Sequence, residues 1–313
     1  MSMLGLDLAN RSVKVVSGTY QDCYVNRLQK IYGIENEQYS VDKTIYEYGG
    51  RKYALTGKGL SSGGRDSDRY FTEEYLVELL IAVTKSTVDT TVDIVLPLPC
   101  EDYKNKKLVA KIKEYLKGKY EIKINDRNRL VIINSIRVIA QPFGVLVHYL
   151  LDINGEFIND RHKYKYVVID IGYGTTDIIC TDGLRVEKII GCNIGCLDIM
   201  NYFLDYINAN HDIKVTRNDF SDNIINPVLK KYGDVFDFTK ELQTAKSIVA
   251  GEIKTFINDS GIDLMLYDRI IYDGGGSILL QNELISKRNE KLYPNAQMAN
   301  AKGAYLYGII RNK

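Results

Sequence analysis

Two kinds of hydrophobic spacing alternate along this chain. Short apolar runs at 3–8 (MLGLDL), 13–18 (VKVVSG), 93–98 (DIVLPL) and 166–171 (YVVIDI) read as strands. The last is expected to be buried on both faces, because Val167, Val168 and Ile169 are β-branched without interruption. Further strands are expected within 20–55, with a hairpin at Gly49-Gly50, and at 130–140, 177–180, 184–190 and 268–273. Helical spacing is clearest where Tyr75, Leu76, Leu79, Leu80 and Val83 share one face over 72–85. Leu108, Ile112, Tyr115 and Leu116 do the same over 102–117. Helices are also expected at 143–151 behind Pro142, at 197–208, 219–232 and 238–258, and from the glycine run at 274 to about 287. An Ala/Gly-rich helix over 297–311 closes the chain.

The order of these elements repeats. Each half opens with a strand, an acidic turn and a second strand, then acquires helices that cross over to further strands. Such an internal repeat implies an α/β protein of two similar domains facing each other. The polar stretch 152–164 is the expected connection, giving domains at 1–154 and 155–296, with the closing helix (297–313) packing back on the first.

Composition narrows the function. With 313 residues, 45% hydrophobic and 26% charged, the chain has room for two globular domains. Its net charge of +1 gives no global field for nucleic acid. No segment has the ~18 apolar residues of a membrane span, and MSMLGLDLAN is not a signal peptide, so a cytoplasmic location is expected. Five scattered cysteines form no disulfide framework, and Cys192 and Cys196 lack a second pair for zinc. Lysines 104, 106, 107, 111, 113, 117, 119 and 123 surround the apolar stripe of the 102–117 helix; a solvated face explains them better than a phosphate patch.

The candidate chemistry lies in three glycine or acidic turns. Asp170 ends a strand and is followed by Gly172, Gly174, Thr175 and Thr176, a turn whose N–H groups and hydroxyls can hold phosphate oxygens. Asp7 occupies the matching place in the first half, with Asn10 and Ser12 in the turn and Lys14 on the following strand, within reach of a β-phosphate. Two such carboxylates suit magnesium, which keeps most of its waters and needs only one or two carboxylates beside phosphate oxygens. The third turn, Gly274-Gly275-Gly276-Ser277 after Asp273, lets backbone lie against a purine or approach an α-phosphate. Neither GxGxxG nor GxxxxGK[ST] occurs.

Hairpin, hairpin and strand-to-helix turn, in that order, resemble the actin-like ATPase superfamily. The first phosphate loop is matched by GLDLANRSVK (5–14), the second by VVIDIGYGTTDI (167–178) and the adenosine loop by IIYDGGGS (270–277). VIAQPFG (138–144) and NAQMANAKGAYLYG (295–308) resemble the first connecting segment and the closing helix. Among the branches, the plasmid-segregation filaments of ParM and Alp type are most similar, through GRKYALTGKGLSSGGRDSDRY (50–70) and DIVLPLPCEDYKNKK (93–107). Residues 205–262 carry no matching motif.

The resemblance implies a duplicated RNase H-like fold around an inter-domain nucleotide cleft that takes ATP or ADP with Mg2+. Asp7 and Asp170 would orient the magnesium through its waters. Asn10, Ser12, Thr175 and Thr176 would line the phosphates, and Lys14 would sit on the β-phosphate. Gln141 would position the attacking water, where many bacterial members carry Glu. Tyr173 departs from the small or acidic residue usual at its place and is expected to point away from nucleotide. Lys254 is a weaker candidate for ribose contact. The implied function is an ATP hydrolase that assembles head-to-tail filaments and moves plasmid DNA through a DNA-binding adaptor, without touching DNA or membrane itself. Two other classes compete: a nucleotide-gated scaffold that does not polymerise, and a small-molecule kinase, for which no acceptor-side Asp motif is seen.

Overall fold

The structure is a computed structural model that describes residues 1–9, 11–32, 44–56, 67–220, 226–294 and 296–312. In the first half the strands are β1 (Ser2–Leu8), β2 (Ser12–Ser17), β3 (Tyr20–Val25), β4 (Leu28–Ile31), β5 (Tyr46–Tyr48), β6 (Arg51–Leu55), β7 (Thr91–Leu98), β8 (Gly118–Ile124) and β9 (Arg127–Ala140). They form one mixed sheet ordered β3-β2-β1-β7-β9-β8-β5-β6-β4. Helices α1 (Glu73–Ser86), α2 (Cys100–Lys104), α3 (Lys106–Leu116) and α4 (Gln141–Leu150) connect them. The second half contributes β10 (Lys165–Ile171), β11 (Thr176–Asp182), β12 (Arg185–Cys192), helix α5 (Cys196–Asn210), the strands β13 (Val228–Lys231) and β14 (Asp234–Asp237), and helix α6 (Thr239–Asp259). After these come β15 (Arg269–Asp273), α7 (Gly274–Leu279), α8 (Gln281–Leu284), β16 (Glu290–Leu292) and α9 (Ala299–Asn312).

The duplication is visible in strand order. The second sheet runs β12-β11-β10-β15-β16, which repeats β3-β2-β1-β7-β9 position for position. In both, an antiparallel meander of three strands meets a parallel neighbour. β10 is buried on both faces, as its β-branched run requires. Val167, Ile169 and Ile171 face a core shared with α5 and α6, while Tyr166 and Val168 face one shared with α4 and α9. The closing helix packs on β1 and α4 at very short range. A Cβ added at Gly303 would lie 1.7 Å from the Gly144 carbonyl, so only glycine lets the two helix backbones approach this closely.

Several elements differ from the sequence-based expectation. The region expected as a helix over 219–232 contains a β-hairpin among its described residues. Tyr232 and Gly233 form a two-residue loop with φ of 55° and 89°, the turn geometry that matches strand twist. Its cross-strand pair Leu229 and Phe236 faces the core while Val228 and Lys230 on either side of Leu229 are exposed, the alternation of a strand. The helix expected from 274 to 287 is two short helices followed by β16, and the 102–117 helix is broken between α2 and α3. Lys119 and Lys123 sit on β8, not on a helix face, and Lys123 pairs with Glu47 at 2.9 Å. The polar loop expected at 61–69 falls mostly outside the described residues.

Candidate nucleotide cleft

Strand register places the acidic residues. In the first hairpin Asp7 lies opposite Lys14, and the turn is closed by Ala9 N–H donating to the Ser12 carbonyl at 3.1 Å. In the second, Asp170 lies opposite Asp177, and Gly172 N–H donates to the Thr175 carbonyl at 2.8 Å. On its other side Asp170 lies opposite Asp273 of β15. The glycine run begins immediately after that residue. Gly274 has a φ of +84°, and a Cβ there would fall 2.3 Å from Asp170 Oδ1. The third turn is therefore seated directly on the second, as glycine alone allows. Gly276 is packed as closely on Ile171, whereas a Cβ on Gly275 would meet nothing within 4 Å.

Four carboxylates are buried here: Asp7 (1% exposed), Asp170 (6%), Asp177 (2%) and Asp273 (1%). Lys14 Nζ donates to Asp7 Oδ2 at 2.9 Å. Burial would push that ammonium's pKa down, but the Asp7 and Asp170 carboxylates more than offset it and hold it above the ordinary lysine value. Asp170 is pushed up to about 6 by burial, pulled back by Lys14 and raised further by Asp7. Asp177 is pushed up to about 7 by burial, with the Cys100 N–H pulling it down and Asp170 adding to the rise. Asp273 is also raised, by burial and then by Asp170, and among the described residues neither of its oxygens meets a hydrogen-bond partner.

Those orphaned oxygens and raised acids mark a region short of positive charge, which a divalent cation would supply. Among the described residues no three His, Cys, Asp or Glu side chains are placed to hold a metal by themselves. The donor set therefore fits an ion bound chiefly through water and phosphate oxygens, as magnesium is, better than a protein-caged metal.

The other expected residues fall as follows. Gln141 is the first residue of α4, at the end of β9, and its Nε2 donates to Asp7 Oδ1 at 3.4 Å. With Arg69, Gly172, Tyr173, Thr175 and Asp177 it lines one cavity of about 100 Å3. Thr175 Oγ donates to Asp177 Oδ2 at 2.9 Å, while the fully buried Thr176 donates to the Ile194 carbonyl at 2.8 Å. Ser277 is also fully buried and donates to the Asp273 carbonyl one turn back. Ser12 opens β2 beside the first turn, and Asn10 lies outside the described residues. Lys254, on α6, donates to the Glu283 carbonyl at 2.6 Å, a contact between helices of the second half. Tyr173 lines the cavity. The Arg11 guanidinium of the first turn lies 5.6 Å from its ring centroid, and its hydroxyl accepts from Arg217 at 3.4 Å.

Three residues of the site were not singled out from the sequence. Asp177 ties the halves together by accepting the Cys100 N–H at 2.5 Å. Asn300, on the closing helix, donates to Asp170 Oδ2 at 2.6 Å. Arg69 lines the cavity from the segment before α1. Only Asp177 had a local signal, at the end of the GYGTTD run; the other two arrive from distant parts of the chain.

Comparison with known proteins agrees with this geometry. The model of the actin-like proteins' N-terminal domain matches residues 5–144. The C-terminal model of the archaeal MreB-like actin homologues matches 168–286. No curated protein sequence matches the chain. Among solved structures, the archaeal actin homologue Ta0583 superposes with a TM-score of 0.83 at 18% identity, covering 99% of this chain and 100% of that one. Its complex with ADP gives 0.77 at 19% identity, covering 99% and 100%. A 15-stranded ParM filament from Clostridium botulinum gives 0.78 at 20% identity, covering 99% of each. Two domain models in order, a duplicated sheet and the three turns around one acidic cleft place this chain in the actin-like superfamily.

Proposed function

We propose that the protein is an ATP-hydrolysing filament former of the ParM and Alp type, cytoplasmic, which moves plasmid DNA through a DNA-binding adaptor. The observation that carries this is the approach of two acidic hairpins, one from each sheet, where Arg11 of the first turn lies over Tyr173 of the second, with the glycine turn of β15 seated on the second. The names of its relatives support the same reading: one was solved with ADP, another as a filament.

In this reading backbone N–H groups of the two turns other than those of Ala9 and Gly172, which close the turns, cradle the phosphates with the Thr175 hydroxyl, and Lys14 is drawn from Asp7 toward the β-phosphate. Asp7 and Asp170 are the residues that would hold a magnesium ion, which would supply positive charge beside the phosphates. Gln141 orients the attacking water. Its amide is no base, so its contribution is position. ATP binding draws the halves together and favours head-to-tail contacts that do not close into a ring, which yields an open filament. ATP can drive assembly only as far as it prefers the assembled conformation, and hydrolysis removes that preference.

Sedimentation with ATP and magnesium tests this. Polymer is expected with ATP and not with ADP. Asp170→Ala is expected to abolish nucleotide-dependent assembly and to lower phosphate release by about a hundredfold or more. Protein that stays monomeric at high concentration with ATP and magnesium would falsify the polymer reading. ATP binding with almost no phosphate release would instead indicate a scaffold.

A further inference from the structure

Among the described residues Arg69 has no counter-ion, in a cavity whose other charged groups are engaged. Its Nη2 donates to the Leu8 carbonyl at 3.2 Å, which places the guanidinium at the rim of the first acidic hairpin. The rings of Tyr70 and Tyr75 lie 4.9 Å and 5.7 Å from it. Among the described residues no carboxylate forms an ion pair with it. The acids lining the same cavity are held by others. Glu101 accepts from Lys104 at 2.7 Å and from Gly191 N–H at 3.2 Å, and Asp102 accepts from the Tyr70 hydroxyl at 2.6 Å. Asp177 accepts from Cys100 N–H and Thr175.

A guanidinium carries five N–H donors, and among the described residues the Leu8 carbonyl and the two tyrosines occupy only part of that set. The Gly172–Thr175 turn lines the same cavity. The place between them suits an oxyanion, and arginine's planar fork matches phosphate oxygens better than any other side chain.

We propose that Arg69 contacts the terminal phosphate of the bound nucleotide, from the first half, while the Gly172–Thr175 turn holds that phosphate from the second. The assignment rests on the nucleotide-binding reading above and adds to it the residue that tells a triphosphate from a diphosphate. The contact would be communicated without slack. The Arg69 carbonyl accepts both the N–H (3.2 Å) and the hydroxyl (2.8 Å) of Thr72, the residue that caps α1. A phosphate held by Arg69 is thereby tied to a helix whose Tyr75, Leu76, Leu79 and Leu80 are set in the first core.

The test compares wild type with Arg69→Gln and Arg69→Lys by calorimetric titration of a nonhydrolysable ATP analogue and of ADP, with magnesium, below the assembly concentration. Arg69→Gln is expected to lose about tenfold or more in affinity for the analogue and less than about twofold for ADP. Arg69→Lys, which keeps the charge but not the fork, is expected to fall between. Equal losses for both nucleotides, or no loss for either, would overturn the assignment to Arg69. If Arg69→Gln does not fold, wild-type protein answers the question. Modification of Arg69 by phenylglyoxal, followed by mass spectrometry, should be slowed by the analogue and not by ADP; equal slowing overturns the proposal. Wild type that binds neither nucleotide overturns the underlying reading and this one with it. Wild type that binds both, with indifferent variants, overturns only the role of Arg69.

Discussion

The two acidic hairpins share a backbone and differ in charge. Each pairs a strand ending in Asp with a returning strand, and in each the residue opposite that Asp is seven positions later. In the first it is Lys14, and the carboxylate is neutralised within its own hairpin. In the second it is Asp177, and Asp273 flanks Asp170 on the other side, so three acids stand in a row across three strands. The first hairpin is therefore complete in itself, whereas the second relies on what reaches it: the ammonium of Lys14, the amide of Asn300 and, in the proposed function, magnesium and phosphate. A duplicated scaffold thus yields one jaw with its charge balanced and one whose charge is not balanced within its own strands.

The comparison predicts unequal responses to removing one member of each pair. Lys14→Met strands Asp7 as a buried charge beside, among the described side chains, the long Gln141 contact, and should cost about 3–5 kcal/mol of unfolding free energy. Asp177→Asn keeps an oxygen for the Cys100 N–H and presents an amide to a hydroxyl that can turn to accept. Its cost near neutral pH should be under about 1 kcal/mol. Urea unfolding of both variants checks this, and equal costs would erase the distinction between the jaws.

A second consequence is pH dependence without nucleotide. Asp170 and Asp177 are raised from 3.8 to about 6 and about 7, so the folded chain binds protons more tightly than the unfolded one. Their contribution to stability is fully present below about pH 4 and is lost as pH rises through 6 to 7. Over that window the second jaw should weaken the fold, with Asp177→Asn flattening the upper part of the decline. Magnesium with ADP should flatten it as well, by holding the acids ionised at lower cost. A stability profile unchanged by Asp177→Asn would show that the acids of the second jaw are not the source.

The smallest effect expected is at Tyr173, which spans the jaws by lying under Arg11 and accepting from Arg217. Tyr173→Leu should change stability by about 1 kcal/mol or less while raising the rate of nucleotide exchange. An exchange rate equal to wild type would mean that the ring fills space without latching the cleft.

Much of this was legible in the chain. The β-branched run before Asp170, the glycines after Asp273 and the place of Gln141 behind a strand are local patterns, and local sterics decide them. The hairpin at 228–237 was not legible as a helix-to-strand switch, because its turn is set by positive φ at Tyr232, a residue not usually found there, and at Gly233. Nor was the break between α2 and α3, where the Asn105 side chain accepts from Leu108 N–H and restarts the helix.

By itself, then, the sequence determined the duplication, through the repeated order of elements, and the position of both acidic turns and of the glycine run, which depend on backbone geometry over a few residues. Only the tertiary structure decided which charges meet. Asp177 reaches Cys100 and Asn300 reaches Asp170 across separations of 77 and 130 positions, and Arg69 reaches the cavity from the segment before α1, placed by sheet register and by the return of the closing helix. Periodicity says which side of a strand a residue faces. What it faces depends on elements packed against it from elsewhere, and in a buried cleft that partner sets the charge.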